Sequence, residues 1–256
     1  MSFAADSPCV RKVRPSPNHD ERAEGAADIL LLHYTGMEST AAAIERLCDP
    51  SAKVSSHYVI DETGEILQLV PEARRAWHAG LSSWQGATDI NSRSIGIEIG
   101  NPGHDFGYPD FPDAQIEAVI ALGRDIVLRH HIRTDRVLAH SDVAPQRKFD
   151  PGEKFPWVRL HRAGIGAWVE AVEDAGGSVC GPGDSGAAVA QLQEALKRYG
   201  YGIEANGRYD DLTTAVVAAF QRHFRTARVD GLADRGTIGT LDALLAARKS
   251  YTRTSS

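Results

Sequence analysis

The order of apolar and polar positions predicts alternating strands and helices in the first part of the chain. Residues 29–32 form a continuous apolar run, which is typical of a strand that is buried on both faces. Further strands are predicted at 54–60, 66–70, 94–100 and 137–138. Turn residues at 61–64 join the first two of these strands into a predicted hairpin.

Two helices are predicted among these strands. Residues 39–47 predict a helix capped by Ser39 or Thr40. Asp113 can cap a long amphipathic helix, because apolar residues recur at helical spacing over 116–127. Strands that alternate with helices indicate an α/β fold, in which a mixed central sheet is flanked by helices.

The character of the chain changes after a first domain that comprises residues 1–172. Residues 173–183 are rich in Gly and include Ser and Pro, which predicts a linker. Apolar residues at helical spacing then predict a small three-helix domain at 184–247, and we expect a disordered tail at 248–256. Two small domains on a linker favour a monomer.

The predicted three-helix domain contains an internal repeat of the form [Asn/Asp]-Gly-x-x-Asp-x-x-Thr. It occurs at 206–213 and at 230–237, each time before a predicted helix. A glycine turn that leads to an Asp or Thr at a helix N-terminus explains the pattern. Two loops that solve one capping problem alike would also produce it, so the repeat predicts helix caps and no function.

Composition and charge argue against several classes of function. The formal net charge of -6 gives no overall attraction to nucleic acid or to an anionic membrane. The 3 cysteines lie far apart without a CxxC pair, which argues against a disulfide framework or a cysteine-only metal site. The N-terminus has no apolar core of signal-peptide length, and no transmembrane span is predicted.

Two histidines and an aspartate are candidates for a metal site. His33 and His140 each come directly after an apolar strand, and Pro151 keeps Asp150 extended. Zinc accepts imidazole and carboxylate ligands in a tetrahedron, and three protein ligands leave one position for water. The chain has 10 histidines, most of which would be structural or on the surface, and Lys148 and Asp150 could form a surface ion pair. Spacing alone leaves these interpretations open.

Glu98 is a candidate for acid–base chemistry. Alternation along its strand places Ile95, Ile97 and Ile99 on one face and Glu98, between two glycines, on the other. A carboxylate between glycines predicts open space into which a substrate could approach closely. The alternative is a solvent-facing charge on a half-exposed sheet.

Five sequence blocks closely resemble the AmpD-type N-acetylmuramoyl-L-alanine amidases, the type 2 amidase family, whose fold is related to peptidoglycan recognition proteins. The blocks follow the family's order and spacing. They are LLHYTG at 31–36, SSHYVI at 55–60, RAWHAG at 75–80, SIGIEIGN at 94–101 and HSDVAPQRKFDPG at 140–152. Residues 184–246 resemble the three-helix peptidoglycan-binding domain.

The resemblance implies a role for particular residues. It implies that His33, His140 and Asp150 bind one zinc ion. It also implies that Glu98 is the catalytic acid and base and that Lys148 stabilises the transition state. The implied candidates for substrate contacts are Tyr34, His57, Trp77, His78 and Asn101.

The implied reaction is zinc-dependent hydrolysis of the amide bond between N-acetylmuramic acid, or its anhydro form, and L-alanine, for wall turnover or recycling. The implied partners are peptidoglycan or muropeptides. The binding domain points to the periplasm or cell wall, whereas the lack of a visible signal peptide points to the cytoplasm. The alternatives are a non-catalytic wall-binding protein, a carboxylate-pair glycosidase and a secreted antibacterial effector with the same chemistry.

Overall fold

The computed structural model describes residues 3–23, 25–173 and 178–253. Its strands are β1 Lys12–Val13, β2 His19–Glu21, β3 Ile29–Tyr34, β4 Tyr58–Ile60, β5 Ile66–Gln68, β6 Arg74–Ala76, β7 Ser94–Ile99, β8 Val137–Ala139, β9 Ser178–Cys180 and β10 Ala233–Asp234. Its α-helices are α1 Thr40–Cys48, α2 Ile90–Arg93, α3 Asp113–His130, α4 His140–Val143, α5 Trp157–Arg162, α6 Ala187–Tyr199, α7 Asp211–Phe224 and α8 Arg235–Arg253. Short 3-10 helices occur at His104–Phe106 and Thr134–Arg136.

A six-stranded mixed sheet in the order β1-β5-β4-β7-β3-β8 forms the framework of the first domain. Strands β4, β7, β3 and β8 run parallel to one another, and β5 runs antiparallel to β4. This arrangement confirms the predicted α/β architecture and the predicted hairpin. Because parallel strands share a carboxyl edge, residues at the ends of β3, β7 and β8 come close together.

Strand β3 is apolar because both faces of the sheet are covered where it lies. Leu30 and Leu32 belong to a core that includes Ile97 and the apolar face of α3. Ile29 and Leu31 point the other way, into a core shared with the C-terminal helices. The prediction of a strand buried on both faces is confirmed. Helix α3 covers one face, and helices from the C-terminal part of the chain cover the other.

The predicted strand at 54–60 is shorter in the structure and begins at Tyr58. The hydroxyl of Ser55 donates to the carbonyl of Asn18 at 2.5 Å, and that of Ser56 donates to the carbonyl of Gly96 at 2.8 Å. Side-chain bonds of this kind compete with strand pairing. The chain before Tyr58 is therefore held in place without joining the sheet.

One of the two predicted helix caps in the first domain is wrong. Pro112 holds the N-cap position of α3 without a capping hydrogen bond, and the Asp113 carboxylate pairs with Arg159 at 2.5 Å instead. At α1 the prediction is confirmed, since the Ser39 side chain accepts from the amide of Ala42 at 3.2 Å.

Helices α6, α7 and α8 form the predicted three-helix unit, which we call the C-terminal module. Both repeated loops cap a helix as predicted. The Asp210 carboxylate accepts from the amide of Thr213 at 2.9 Å, and that of Asp234 accepts from the amide of Thr237 at 2.7 Å.

A buried glutamine also holds each of the two repeated loops, which the sequence analysis did not predict. The side-chain oxygen of Gln193 accepts from the amide of Gly207 at 2.8 Å, and that of Gln221 accepts from the amide of Gly231 at 2.8 Å. Each side chain also donates to the threonine of its loop, at 2.9 and 3.1 Å. The internal repeat thus extends from the caps to the helix that precedes each loop.

The predicted linker and tail are more structured than expected. Within the linker at 173–183, residues 174–177 lie outside the described residues, and β9 pairs antiparallel with β10. Helix α8 continues to Arg253, so the prediction of a disordered tail is wrong for residues 248–253. Residues 254–256 lie outside the described residues, and the domain limits at 172 and 184 stay predictions.

Candidate metal centre and catalytic cleft

Three predicted ligands come together at the carboxyl edge of the sheet. His33 lies in β3, and Leu32 before it pairs with Ala139, so that His140 emerges beside His33. His33 Nδ1 lies 2.9 Å from His140 Nδ1, and Asp150 Oδ2 lies 3.1 and 3.0 Å from these two nitrogens. All three residues are buried. Their ligand atoms form a nearly equilateral triangle that a single ion can share.

Each imidazole of the triangle is oriented through its other ring nitrogen. His140 Nε2 lies 3.1 Å from the carbonyl of Ala79, and His33 Nε2 lies 2.9 Å from His78 Nδ1. A hydrogen on Nε2 that donates to these partners leaves both Nδ1 atoms free to bind a metal. Burial, assisted by His140, lowers the pKa of His33 to about 4, so this imidazole is neutral at pH 7.

The Asp150 carboxylate is charged at neutral pH. Burial raises the pKa of this carboxyl, but the adjacent imidazoles of His140 and His33 outweigh burial and leave it well below its usual value. A charged carboxylate beside two imidazoles is a donor set that suits zinc.

His78 orients His33, and the position of His78 depends in turn on a glycine. A Cβ atom at Gly96 would lie 2.6 Å from His78 Nδ1, which is closer than such atoms approach. His78 Nε2 lies 3.3 Å from the hydroxyl of Ser94 on the same strand as Gly96. Strand β7 therefore positions the His78 ring, which in turn contacts the predicted ligand His33.

Gly96 and Gly100, which flank Glu98 on its face of the strand, do not border open space as predicted; each lies against another side chain. Gly96 makes room for the His78 ring, and a Cβ atom at Gly100 would clash with the hydroxyl of Thr40. The expectation that both glycines leave open space for a substrate is therefore wrong.

Glu98 lies opposite His33 in the register between β7 and β3 and faces the same side of the sheet. Burial raises the pKa of Glu98 well above its usual value; Asp150 raises it further, and Lys148 opposes the shift. Its Oε2 atom is buried and has no hydrogen-bond partner among the residues that the structure describes. A buried carboxyl oxygen without a partner indicates a group that meets a water, an ion or a substrate.

A cleft of about 460 Å³ opens over the triangle and Glu98. Lys148 and Tyr34 also line it, and the Tyr34 hydroxyl lies 3.0 Å from His104 Nδ1. A neighbouring groove of about 430 Å³ shares His78, His140 and Lys148 with the cleft and adds Trp77. The cleft is further lined by residues to which the sequence analysis gave no role, among them Met37, Arg46, His104, Asp105, Arg147 and Phe149.

Two predicted substrate contacts line neither cavity. His57 is fully buried, where its Nδ1 accepts from the amide of Gly96 at 3.0 Å and its Nε2 lies 3.0 Å from the carbonyl of Arg74. Asn101 is also buried and donates to the carbonyl of Pro109 at 2.9 Å. Both side chains are engaged by the backbone, which indicates structural roles.

Comparison with known proteins adds a family context to this geometry. A family model described as N-acetylmuramoyl-L-alanine amidase matches residues 23–153. A second model, described as a putative peptidoglycan binding domain, matches residues 185–241.

Two relatives illustrate the extent of the similarity. The N-acetylmuramoyl-L-alanine amidase AmiD of Escherichia coli is 41% identical over 237 residues, which are 85% of this chain and 82% of AmiD. The 1,6-anhydro-N-acetylmuramyl-L-alanine amidase AmpD of Enterobacter cloacae is 36% identical over 165 residues, which are 57% of this chain and 86% of AmpD.

A solved structure extends the similarity to three dimensions. Escherichia coli AmiD in complex with its substrate, anhydro-N-acetylmuramic acid-L-Ala-D-gamma-Glu-L-Lys, superposes with a TM-score of 0.74 and 37% identity. The match covers 91% of this chain and 93% of that structure, so it includes both the first domain and the C-terminal module.

Proposed function

Because this chain belongs to the N-acetylmuramoyl-L-alanine amidase family, we propose that it cleaves peptidoglycan fragments with one zinc ion held by His33, His140 and Asp150. It hydrolyses the amide bond between N-acetylmuramic acid, or its anhydro form, and L-alanine, in wall turnover or recycling. The observation that carries the proposal is the triangle of ligand atoms in a cleft that Glu98 also lines, where the buried Oε2 of Glu98 meets no hydrogen-bond partner from the described part of the chain.

The donor set supports zinc as the ion. In a zinc tetrahedron with bonds of about 2.0 Å, neighbouring ligand atoms lie about 3.3 Å apart. The three separations here are 2.9, 3.0 and 3.1 Å, so a small movement would admit the ion. Two imidazoles and one carboxylate also match the ligand types of catalytic zinc sites, where three protein ligands leave a position for water.

Glu98 is the proposed catalytic acid and base. When bound, zinc lowers the pKa of a water in its open position and polarises the substrate carbonyl. The carboxylate of Glu98 takes a proton from the attacking water and then gives it to the leaving nitrogen of L-alanine. Burial raises the pKa of Glu98, which favours the protonated form that delivers the proton to the leaving nitrogen.

Lys148 is the proposed stabiliser of the negative charge that develops on the amide oxygen. Lys148 is half-buried and lines the cleft, two residues before Asp150. A fixed positive charge in a partly dry cleft lowers the energy of a developing oxyanion more than it would in water.

Tyr34, Trp77 and His78 remain proposed cleft residues, with different roles. Tyr34 and Trp77 line the two cavities on either side of the triangle, where aromatic surfaces can pack against a sugar ring or a stem peptide. His78 is engaged with His33, so we propose that it serves the metal site rather than the substrate.

The peptidoglycan-binding match supports a role related to the cell wall. Within the described ranges, none of the helices is long and apolar enough to span a bilayer. We propose that the protein acts in the periplasm or at the cell wall, with the cytoplasm as the alternative location. Fractionation of cells that express the chain tests this directly.

The test of the reaction is release of L-alanyl peptide from a soluble anhydro-muramyl peptide and from intact sacculi. We expect a chelator to abolish release and added zinc to restore it. Activity that survives complete removal of the metal would contradict the zinc site. A zinc-loaded chain that cleaves neither substrate would contradict the amidase function, and the ratio of the two rates would reveal the preferred substrate.

A further inference from the structure

The C-terminal module packs directly against the segment that carries two of the three proposed metal ligands. This segment, residues 140–153, begins at His140 and contains Lys148 and Asp150. Helix α7 of the C-terminal module contacts helix α4, which forms the beginning of this segment. The contacts involve specific buried polar groups rather than apolar surface alone.

Asp142 receives hydrogen bonds from two residues of the C-terminal module. Its carboxylate is fully buried on the same single turn of helix as His140. The hydroxyl of Tyr201 donates to Oδ1 at 2.7 Å, and His223 Nδ1 lies 2.7 Å from Oδ2. The amide of Ala139 donates to Oδ2 at 2.8 Å, so the carboxylate links the module to the backbone just before His140.

The far end of the segment is held by the neighbouring residue of α7. The guanidinium group of Arg222 lies 4.5 Å from the centre of the Phe149 ring. Its Nε atom also lies 4.0 Å from the carboxylate of Glu153. Because Phe149 stands between Lys148 and Asp150, Arg222 restrains the part of the segment that carries both.

A shared core holds the C-terminal module in this position. Trp84 of the first domain is fully buried, with ring centres 5.8 Å from Tyr199 and 5.1 Å from Tyr201. A Cβ atom at Gly200 would lie 2.5 Å from the Trp84 ring, so a glycine there permits the close approach. The contacts to segment 140–153 therefore rest on a packed interface.

We propose that the C-terminal module positions the metal ligands in addition to binding the wall. Tyr201 and His223 act through Asp142 on His140, and Arg222 acts through Phe149 on Asp150. The physical reason is that groups behind a metal ligand fix its orientation, and small displacements of a ligand weaken binding. The inference rests on the proposed zinc site, and Tyr201, His223 and Arg222 are positioning residues.

The test compares full-length variants that each lose one buried polar group. Tyr201→Phe and His223→Phe remove the donors to Asp142 while they keep an aromatic ring. Tyr209→Phe is the matched control, since that hydroxyl donates at 2.7 Å to the carbonyl of Gly231 within the C-terminal module. Zinc affinity is measured by competition with a chelator, the ligand field by the absorption spectrum of the Co²⁺ form, and folding by thermal unfolding.

We expect Tyr201→Phe and His223→Phe to weaken zinc binding by roughly tenfold, as for loss of an outer partner of a metal ligand, and to alter the Co²⁺ spectrum. Tyr209→Phe should lower the unfolding temperature and leave both metal readouts unchanged. Folded Tyr201→Phe with the zinc affinity and spectrum of the control would overturn the inference, even if His223→Phe fails to fold. If the wild-type chain binds no zinc, the proposed metal site itself fails.

Discussion

His33 and Glu98 lie directly opposite each other on the parallel strands β3 and β7. One residue is a proposed metal ligand and the other the proposed acid and base, so one strand register sets the distance between the two. A shift of the register by a single residue would turn one of them to the opposite face of the sheet. The isoleucines around Glu98 prevent such a shift, because they are buried against α3.

Glu98→Gln should separate catalysis from metal binding. The amide cannot take up and deliver a proton, so we expect kcat to fall by roughly 10²–10⁴-fold, the usual contribution of a general acid and base. Zinc content should stay at the wild-type level, because Glu98 is not one of the three ligands. Full activity in this variant, or loss of its zinc, would show that the assigned role is wrong.

His78→Ala should weaken zinc binding without touching a ligand. His33 would lose the ring that accepts from its Nε2, and loss of such a partner typically costs 10–100-fold in metal affinity. Gly96→Ala should act in the same way, since its new Cβ atom would displace His78. Gly123→Ala is a suitable control, because a Cβ atom there would meet no neighbour closer than 3.4 Å. Equal affinity in all three variants, measured by chelator competition, would exclude this role.

The buried His57 should make the folded chain sensitive to acid. Burial, with a further contribution from Arg22, lowers the pKa of His57 to about 3, whereas in the unfolded chain it lies near 6.5. Between these two values the unfolded chain binds a proton that the folded chain does not, so the free energy of unfolding falls as the pH decreases below 6.5.

Urea unfolding at pH 6.5 and pH 5 measures this effect. For one such histidine the loss over this interval is about 2 kcal/mol. His57→Gln removes the titrating group. Its free energy of unfolding should therefore fall less between pH 6.5 and pH 5 than that of the wild type, and the difference should be about that amount. The same pH dependence in both proteins would show that His57 does not cause the sensitivity.

The two buried glutamines of the C-terminal module should be equally important for its stability. Gln193→Ala and Gln221→Ala each leave the amide of a loop glycine, Gly207 or Gly231, without its acceptor, which costs about 1–3 kcal/mol. Gln191→Ala is the control, because that side chain is exposed on the same helix as Gln193. Chemical denaturation of the full chain gives the comparison. If Gln191→Ala lowers the free energy of unfolding as much as Gln193→Ala does, the buried side-chain amides have no special role in stability.

Much of the candidate site could be predicted because its residues follow strands whose pattern is local. The apolar run of 29–32 and the alternation around Glu98 identify β3 and β7 and the faces they present. The family resemblance then points to His33 and His140 as the metal-binding histidines, among 10 histidines in the chain. The supporting residues were harder to predict. His78 was predicted as a substrate contact and Asp142 was not singled out, because a role through another residue depends on contacts between distant parts of the chain.

The sequence by itself predicted the order of the main strands and helices and the repeated helix caps, because periodicity and short motifs act over a few residues. The proposed ligand set followed from the family resemblance, since spacing alone left it open. Tertiary structure alone decided that His78 supports His33 across 45 positions and that His223 reaches Asp142 across 81. A pattern shows which face of an element is apolar, but not which distant element covers it. For that reason the packing of the C-terminal module against segment 140–153 is visible only in the folded chain.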